Sequence, residues 1–207
     1  GGFRLLEAHL ERMGASADHF DFPFPRTDIL RELVGLAERF DGGIPRRVRL
    51  LLGRDGSREI SSAPLEPTAP GPLSIRLARR TVDSTDPHLF HKTTRREVYD
   101  RELAAARKEG FFEVIFVNER GEVTEGAFTN LFLDRGGSLA TPPVDCGLLD
   151  GVLRRHLLRE GEGRVTESIL FPADLRSADR ILVGNSVRGL VEVQFAGEQD
   201  KDVFRPK

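Results

Sequence analysis

The run Val123-Thr-Glu-Gly-Ala-Phe-Thr-Asn-Leu-Phe132 does most to limit how this chain can fold. A strand reads over 122–125, straight after the tight turn Asn118-Glu-Arg-Gly121, and another reads over 130–134, closed by Arg135-Gly-Gly137. Gly126 and Ala127 follow the Glu125 carboxylate, and residues that small let a flat group approach the backbone. Upstream stands His91-Lys-Thr-Thr94. Downstream stand Thr141-Pro-Pro143 and Cys146-Gly-Leu-Leu-Asp-Gly-Val-Leu-Arg154. In chain order these are a lysine, a carboxylate and a loop that opens a helix.

Apolar spacing organises the rest. Residues 5–17 read as an amphipathic helix, and 27–40 as a second, capped by Thr27 and ended by Asp41-Gly-Gly43. Strands are expected at 46–52, 57–63 and 73–78, the first two joined as a hairpin by Gly53-Arg-Asp-Gly56. A helix spans 97–109 and stops at Gly110. A strand covers 111–117. Asp150 caps a helix through 159, and strands at 180–183 and 190–195 flank the Gly184-Asn-Ser186 corner. Pro and Gly are dense over 64–72, and a second break falls at 84–87. These imply a small N-terminal lobe over 1–83 and a larger lobe over 84–207. Many strands and few helices make the class α+β, not a doubly wound parallel sheet.

At 207 residues the chain can bury a substantial core. A net charge of −2 with scattered arginines argues against a nucleic-acid or acidic-membrane surface. One cysteine excludes an internal disulfide and fits a cytosolic protein. No apolar run reaches the length of a membrane span. The opening Gly1-Gly-Phe3, without methionine, is expected of a processed chain or a piece of a longer one. Its five histidines do not form a metal-binding spacing with Cys146, so no metal is expected. No Gly-x-Ser-x-Gly elbow and no P-loop ending occur.

Lysine, carboxylate and helix opening are the parts that hold pyridoxal phosphate: an amine for the aldehyde, an acid for the ring nitrogen, backbone donors for the phosphate. Lys92 follows apolar Leu89-Phe90 and precedes Arg95 and Arg96, a setting that can lower an amine's pKa. Glu125 can keep a pyridine nitrogen protonated. The Val152 and Leu153 amides lie in the first turn of a helix, where orphan N–H groups and the dipole favour a phosphate. Asn185 and Ser186 can donate to the same group, and Arg12 can clamp it. Asn130 is expected to bond the turning backbone. Each residue alone has a plainer reading: a solvated lysine or arginine, a surface glutamate, a capped helix, a Gly-bounded corner.

Together the segments resemble the class IV aminotransferases, the fold-type-IV pyridoxal-phosphate enzymes, over nearly the whole chain. The resemblance rests on residues 9–17, His91-Lys-Thr-Thr94, Val123–Phe132, Thr141–Arg154 and Gly184-Asn-Ser186. It implies a barrel-like C-terminal lobe and a catalytic, cofactor-bonded Lys92. It puts Glu125 at the ring nitrogen, and Arg12, Val152, Leu153, Asn185 and Ser186 around the phosphate. It also implies a homodimer. Within the family the wording is most similar to 4-amino-4-deoxychorismate lyase-like domains fused behind a chorismate-amidating synthase. That implies a lyase making 4-aminobenzoate and pyruvate for folate synthesis, with an anionic substrate met by Arg95, Arg96 or Arg188. A transaminase for branched-chain or D-amino acids is the alternative. An inactive fused or dimerisation domain is a third, motivated by a family N-terminal strand that this chain lacks. Members often carry a tyrosine shortly after the lysine; here that position is Glu97, and Tyr99 stands two residues on.

Overall fold

The computed structural model describes residues 2–40, 42–68 and 71–197. Asp41 and the last ten residues of the expected C-terminal lobe lie outside these. The chain divides into two compact units at 68/69, within the first Pro/Gly-rich break.

The N-terminal unit holds α1 (Leu6–His19), α2 (Arg26–Ala37) and an antiparallel hairpin of β1 (Arg46–Leu52) and β2 (Arg58–Pro64). Gly56, at φ 79°, makes the turn that L side chains resist. Strand alternation sends Val48, Leu50 and Ile60 against Leu10, Ile29 and Leu33 of the two helices, while Arg47 and Arg49 face away into solvent. Thr27 does not cap α2. The helix starts one residue earlier, behind Pro25, which occupies the cap position and presets φ at −77°. It also ends at Ala37, short of Phe40.

The larger unit is built on β3 (Ser74–Leu77), α3 (Glu97–Lys108), β4 (Glu113–Val117), β5 (Val123–Gly126), β6 (Asn130–Arg135), β7 (Ser138–Thr141), α4 (Val152–Glu160), β8 (Val165–Glu167), α5 (Pro172–Ser177), β9 (Arg180–Asn185) and β10 (Gly189–Phe195). The strand order is β5-β4-β3-β10-β9-β6-β7-β8, and β5 also pairs with β6. The first six strands therefore close on themselves as a barrel, with β7 and β8 continuing from β6. β3 and β4, parallel neighbours, are joined through α3; β7 and β8, also parallel, are joined through α4. Neither β3 nor the barrel it completes belongs to the N-terminal unit.

Alternation sorts the core into layers. Ile75, Ile115, Leu131, Leu133, Val183 and Val193 form one cluster drawn from five of the barrel strands. Val114 and Phe116 point the other way, against Tyr99 and Ala106 of α3. Phe132 and Leu182 point toward α4 and meet Leu157 and Leu158. β7, β8 and α5 escaped the sequence reading because they span four, three and six residues, too few to establish a period. Asp150 is not the cap of α4. Gly151 is, while the Asp150 carboxylate accepts from Arg154 at 3.0 Å, a guanidinium that is 1% exposed and needs a counter-charge. Among the described residues no helix is long and apolar enough to cross a membrane.

Candidate active site

The barrel closes at one rung. Glu125 of β5 pairs with Asn130 of β6, Asn130 with Gly184 of β9, and Gly184 with Leu190 of β10. Segments far apart in sequence thus meet because they share a register. A bulge aims the carboxylate: β4 advances two residues from Ile115 to Val117 while β5 spans three between their partners Gly126 and Val123. One extra residue reverses the alternation, so Val123 joins the barrel cluster whereas Glu125 meets Tyr99 from α3.

Glu125 is 7% exposed. The Tyr99 hydroxyl donates to its Oε1 at 3.4 Å, and Asn130 Nδ2 donates to its Oε2 at 3.2 Å. Asn130 Nδ2 also donates to the Leu149 carbonyl at 3.0 Å, so this asparagine reaches the loop that opens α4. Burial is the largest influence on Glu125 and pushes its pKa up to about 7; a Leu149 backbone hydrogen bond and the charges of Lys92 and Arg96 pull the other way.

Lys92 lies between a 3-10 turn at Pro87–Phe90 and the start of α3. It is exposed, and its charge acts on Glu125. A cavity of about 250 Å³ runs along this segment, with His91, Arg95, Arg96, Tyr99 and Glu125 on its wall. Arg96 is held: it donates to the Ala127 carbonyl, and its guanidinium lies 5.1 Å from the Tyr99 ring centre. Arg95 stands 3.0 Å from His88 Nδ1, and that imidazole also contacts Asp86.

Gly151 gives α4 no side-chain cap. A Cβ there would overlap the Asn130 amide oxygen, so Gly151 is what allows helix opening and Asn130 to touch. A Cβ on Gly184 would come 3.1 Å from Leu153 Cδ2, which places the 184–186 corner beside the same turn of α4. The structure therefore gathers Val152, Leu153, Gly184, Asn130 and Glu125. Asn185 spends its side chain on the backbone: Nδ2 donates to the Phe128 carbonyl at 3.1 Å, and Oδ1 accepts from the Val187 and Arg188 amides, each at 3.0 Å. Ser186 is half-buried in the turn. Arg12 is half-buried on α1, in the N-terminal unit.

Glu113 also belongs to this site, although its segment reads only as a strand. This fully buried carboxylate accepts from the amides of Val114 (2.9 Å), Ala127 (3.0 Å) and Phe128 (3.1 Å) and from Thr129 Oγ1 (2.9 Å). It holds the turn between Glu125 and Asn130. Desolvation nevertheless raises its pKa to about 7. The visible signal was a lone charge inside Phe111-Phe-Glu-Val-Ile-Phe-Val117. Both carboxyls bind protons more tightly in the folded chain than a glutamate at its ordinary pKa of 4.5. Their stabilisation is complete below 4.5 and lost as pH rises through about 7. The ligand-free chain should therefore lose stability relative to Glu125→Gln between about pH 5 and about pH 8. A melting-temperature difference that stays constant across that range would contradict the burial argument.

Residues 1–194 match the family described as amino-transferase class IV. The chain belongs to this family. A putative amino-acid aminotransferase from Mesorhizobium loti is 41% identical in its solved structure, covering 93% of this chain and 92% of that one at a TM-score of 0.81. A putative aminodeoxychorismate lyase from Schizosaccharomyces pombe is 28% identical over 91% of this chain and 82% of its own length. A probable branched-chain-amino-acid aminotransferase from Thermotoga maritima is 27% identical over 92% and 71%. This class IV chain thus has relatives named for both lyase and aminotransferase activities, and the α+β barrel agrees with the expected fold.

Proposed function

We propose that the chain is a pyridoxal-phosphate enzyme acting on an amine-bearing substrate. The observation that carries this is the buried Glu125, held by two donors at the wall of a cavity and within electrostatic reach of Lys92. The residues fit the cofactor. A protonated pyridine nitrogen is a partner that would favour the ionised form of this carboxyl, and the uncapped start of α4 offers amides to a phosphate. When bound, pyridoxal phosphate supplies an aldehyde that takes up amines and a ring that accepts electrons. Lys92 would hold the cofactor through its amine and, once displaced by the substrate amine, would be the group that moves protons at the substrate carbon. Glu125 would face the ring nitrogen and keep it protonated. The Val152 and Leu153 amides would hold the phosphate, with the Ser186 hydroxyl as a further contact.

For the reaction, the favoured reading is lyase action on 4-amino-4-deoxychorismate, releasing 4-aminobenzoate and pyruvate. The motif wording and the lyase-named relative support it. Its substrate carries carboxylates, and Arg95, on the cavity wall, can meet one. Amino-acid transamination is the second reading, favoured by the Mesorhizobium loti relative. A homodimer is proposed on the family's pattern. The deciding experiment supplies the chain with pyridoxal phosphate and 4-amino-4-deoxychorismate, and separately with amino acids plus 2-oxoglutarate. Pyruvate formed with 4-aminobenzoate is the expected result. A new amino acid and no pyruvate would replace the lyase by the transaminase.

A further inference from the structure

We propose that Tyr99 and Asn130 are a paired clamp that positions Glu125, one donor on each carboxylate oxygen, and that Asn130 links this carboxylate to the opening of α4. The proposal rests on the cofactor reading above and adds to it how the chain keeps ring-nitrogen and phosphate contacts in fixed relation.

The geometry is specific to these side chains. Tyr99 is the only tyrosine of the chain. Its ring is fixed from two sides, 4.3 Å from the Phe116 centroid and under the Arg96 guanidinium, so its hydroxyl has little freedom other than toward Glu125 Oε1. Arg96 is itself tied to the Ala127 carbonyl, two residues beyond Glu125. On the other side, Asn130 uses one amide group for two acceptors, Glu125 Oε2 and the Leu149 carbonyl. Its oxygen lies against Gly151, so the asparagine cannot rotate without moving the cap of α4. Two donors on an otherwise desolvated carboxylate favour its charged form and fix its plane. A shift of the α4 opening would therefore reach Glu125 through one side chain.

The chain has no tryptophan, so its ultraviolet emission reports on Tyr99 alone. A phenol that donates to a carboxylate emits weakly, because the carboxylate accepts the proton from the excited ring. At about pH 9, above the Glu125 pKa of about 7 so that its carboxylate is ionised, emission from the full chain should therefore rise in Glu125→Gln, with Tyr99→Phe as the blank. Tyr99→Phe keeps the ring on Phe116 and removes only the hydroxyl, so it should fold. Pyridoxal phosphate titration should then show about tenfold weaker binding in Tyr99→Phe and in Asn130→Ala. Neither change should weaken binding further once Glu125 is Gln, because both act through that carboxylate.

Equal emission from wild type and Glu125→Gln would overturn the Tyr99 bond. Full, additive losses in the Glu125→Gln background would overturn positioning and leave a general effect on folding. Unchanged affinity in Tyr99→Phe and Asn130→Ala, with normal binding by wild type, would sink the clamp and spare the cofactor reading. A wild-type chain that binds no pyridoxal phosphate would sink both.

Discussion

If Lys92 has the proposed role, Lys92→Ala should leave a folded chain that fixes no pyridoxal phosphate and has lost nearly all turnover. Lys92 is exposed, so its truncation opens no core cavity, and a stability change within about 0.5 kcal/mol is expected. Activity should fall by about a thousandfold or more, because the amine proposed to hold the cofactor and move protons is gone. The chain has four lysines: Lys92, Lys108, Lys201 and Lys207. Borohydride reduction of the loaded protein followed by peptide mapping therefore separates them without ambiguity. Label on the Lys92 peptide, absent in Lys92→Ala at unchanged melting temperature, is the expected pattern. Label on Lys108, at the end of α3, or undiminished label in the variant would remove Lys92 from the role. The loss of its charge should also let the Glu125 pKa rise further, since Lys92 is one of the groups that holds it down.

What the sequence disclosed about this site was local. Lys92, Glu125 and the α4 opening stood out because each sits in a short segment with its own chemistry: a lysine between an apolar pair and two arginines, a carboxylate before Gly126, a glycine-led helix start. Strand alternation located β1, β4, β6 and β9 within two residues at each end. What could not be read was whatever depends on register. That Glu125 and Asn130 form the rung closing the barrel follows from strand pairing across the whole unit. The bulge that turns Glu125 toward Tyr99 is a mismatch between two strands and has no signature in either alone. Asn130 was expected to serve the adjacent turn; it reaches Leu149, nineteen residues on. Asp150 looked like the better cap than Gly151, but buried Arg154 claims its carboxylate. Thr27 lost the corresponding position to Pro25. Asn130 and Asp150 thus had sound local chemistry but went to other partners, Leu149 across the unit and Arg154 one helical turn on.

Gly126→Ala should cost about 2–4 kcal/mol, combining overpacking with loss of hydrogen bonds to a buried carboxylate. Gly126 does not occupy a left-handed conformation, so the penalty is one of space. Its Cβ would lie 2.7 Å from Glu113 Oε2 and 2.8 Å from Glu113 Cδ, and would strike Thr129 Oγ1 as well. Glu113 is no flexible tip that can swing aside. Its oxygens are bound by three backbone amides and the Thr129 hydroxyl, and it is fully buried. Relief requires that the 126–129 turn move, which displaces Glu125 and the Asn130 rung together. Pyridoxal phosphate binding should therefore weaken along with stability. Gly35→Ala is the control. Gly35 lies within α2, and a Cβ there meets nothing within 4 Å. The same substitution should stabilise that helix by up to about 1 kcal/mol, since alanine has the higher helix propensity. Urea midpoints of the two variants should thus move in opposite directions. A Gly126→Ala chain as stable as wild type would mean that Glu113 yields easily, and that its bonds do not hold the turn on which Glu125 stands.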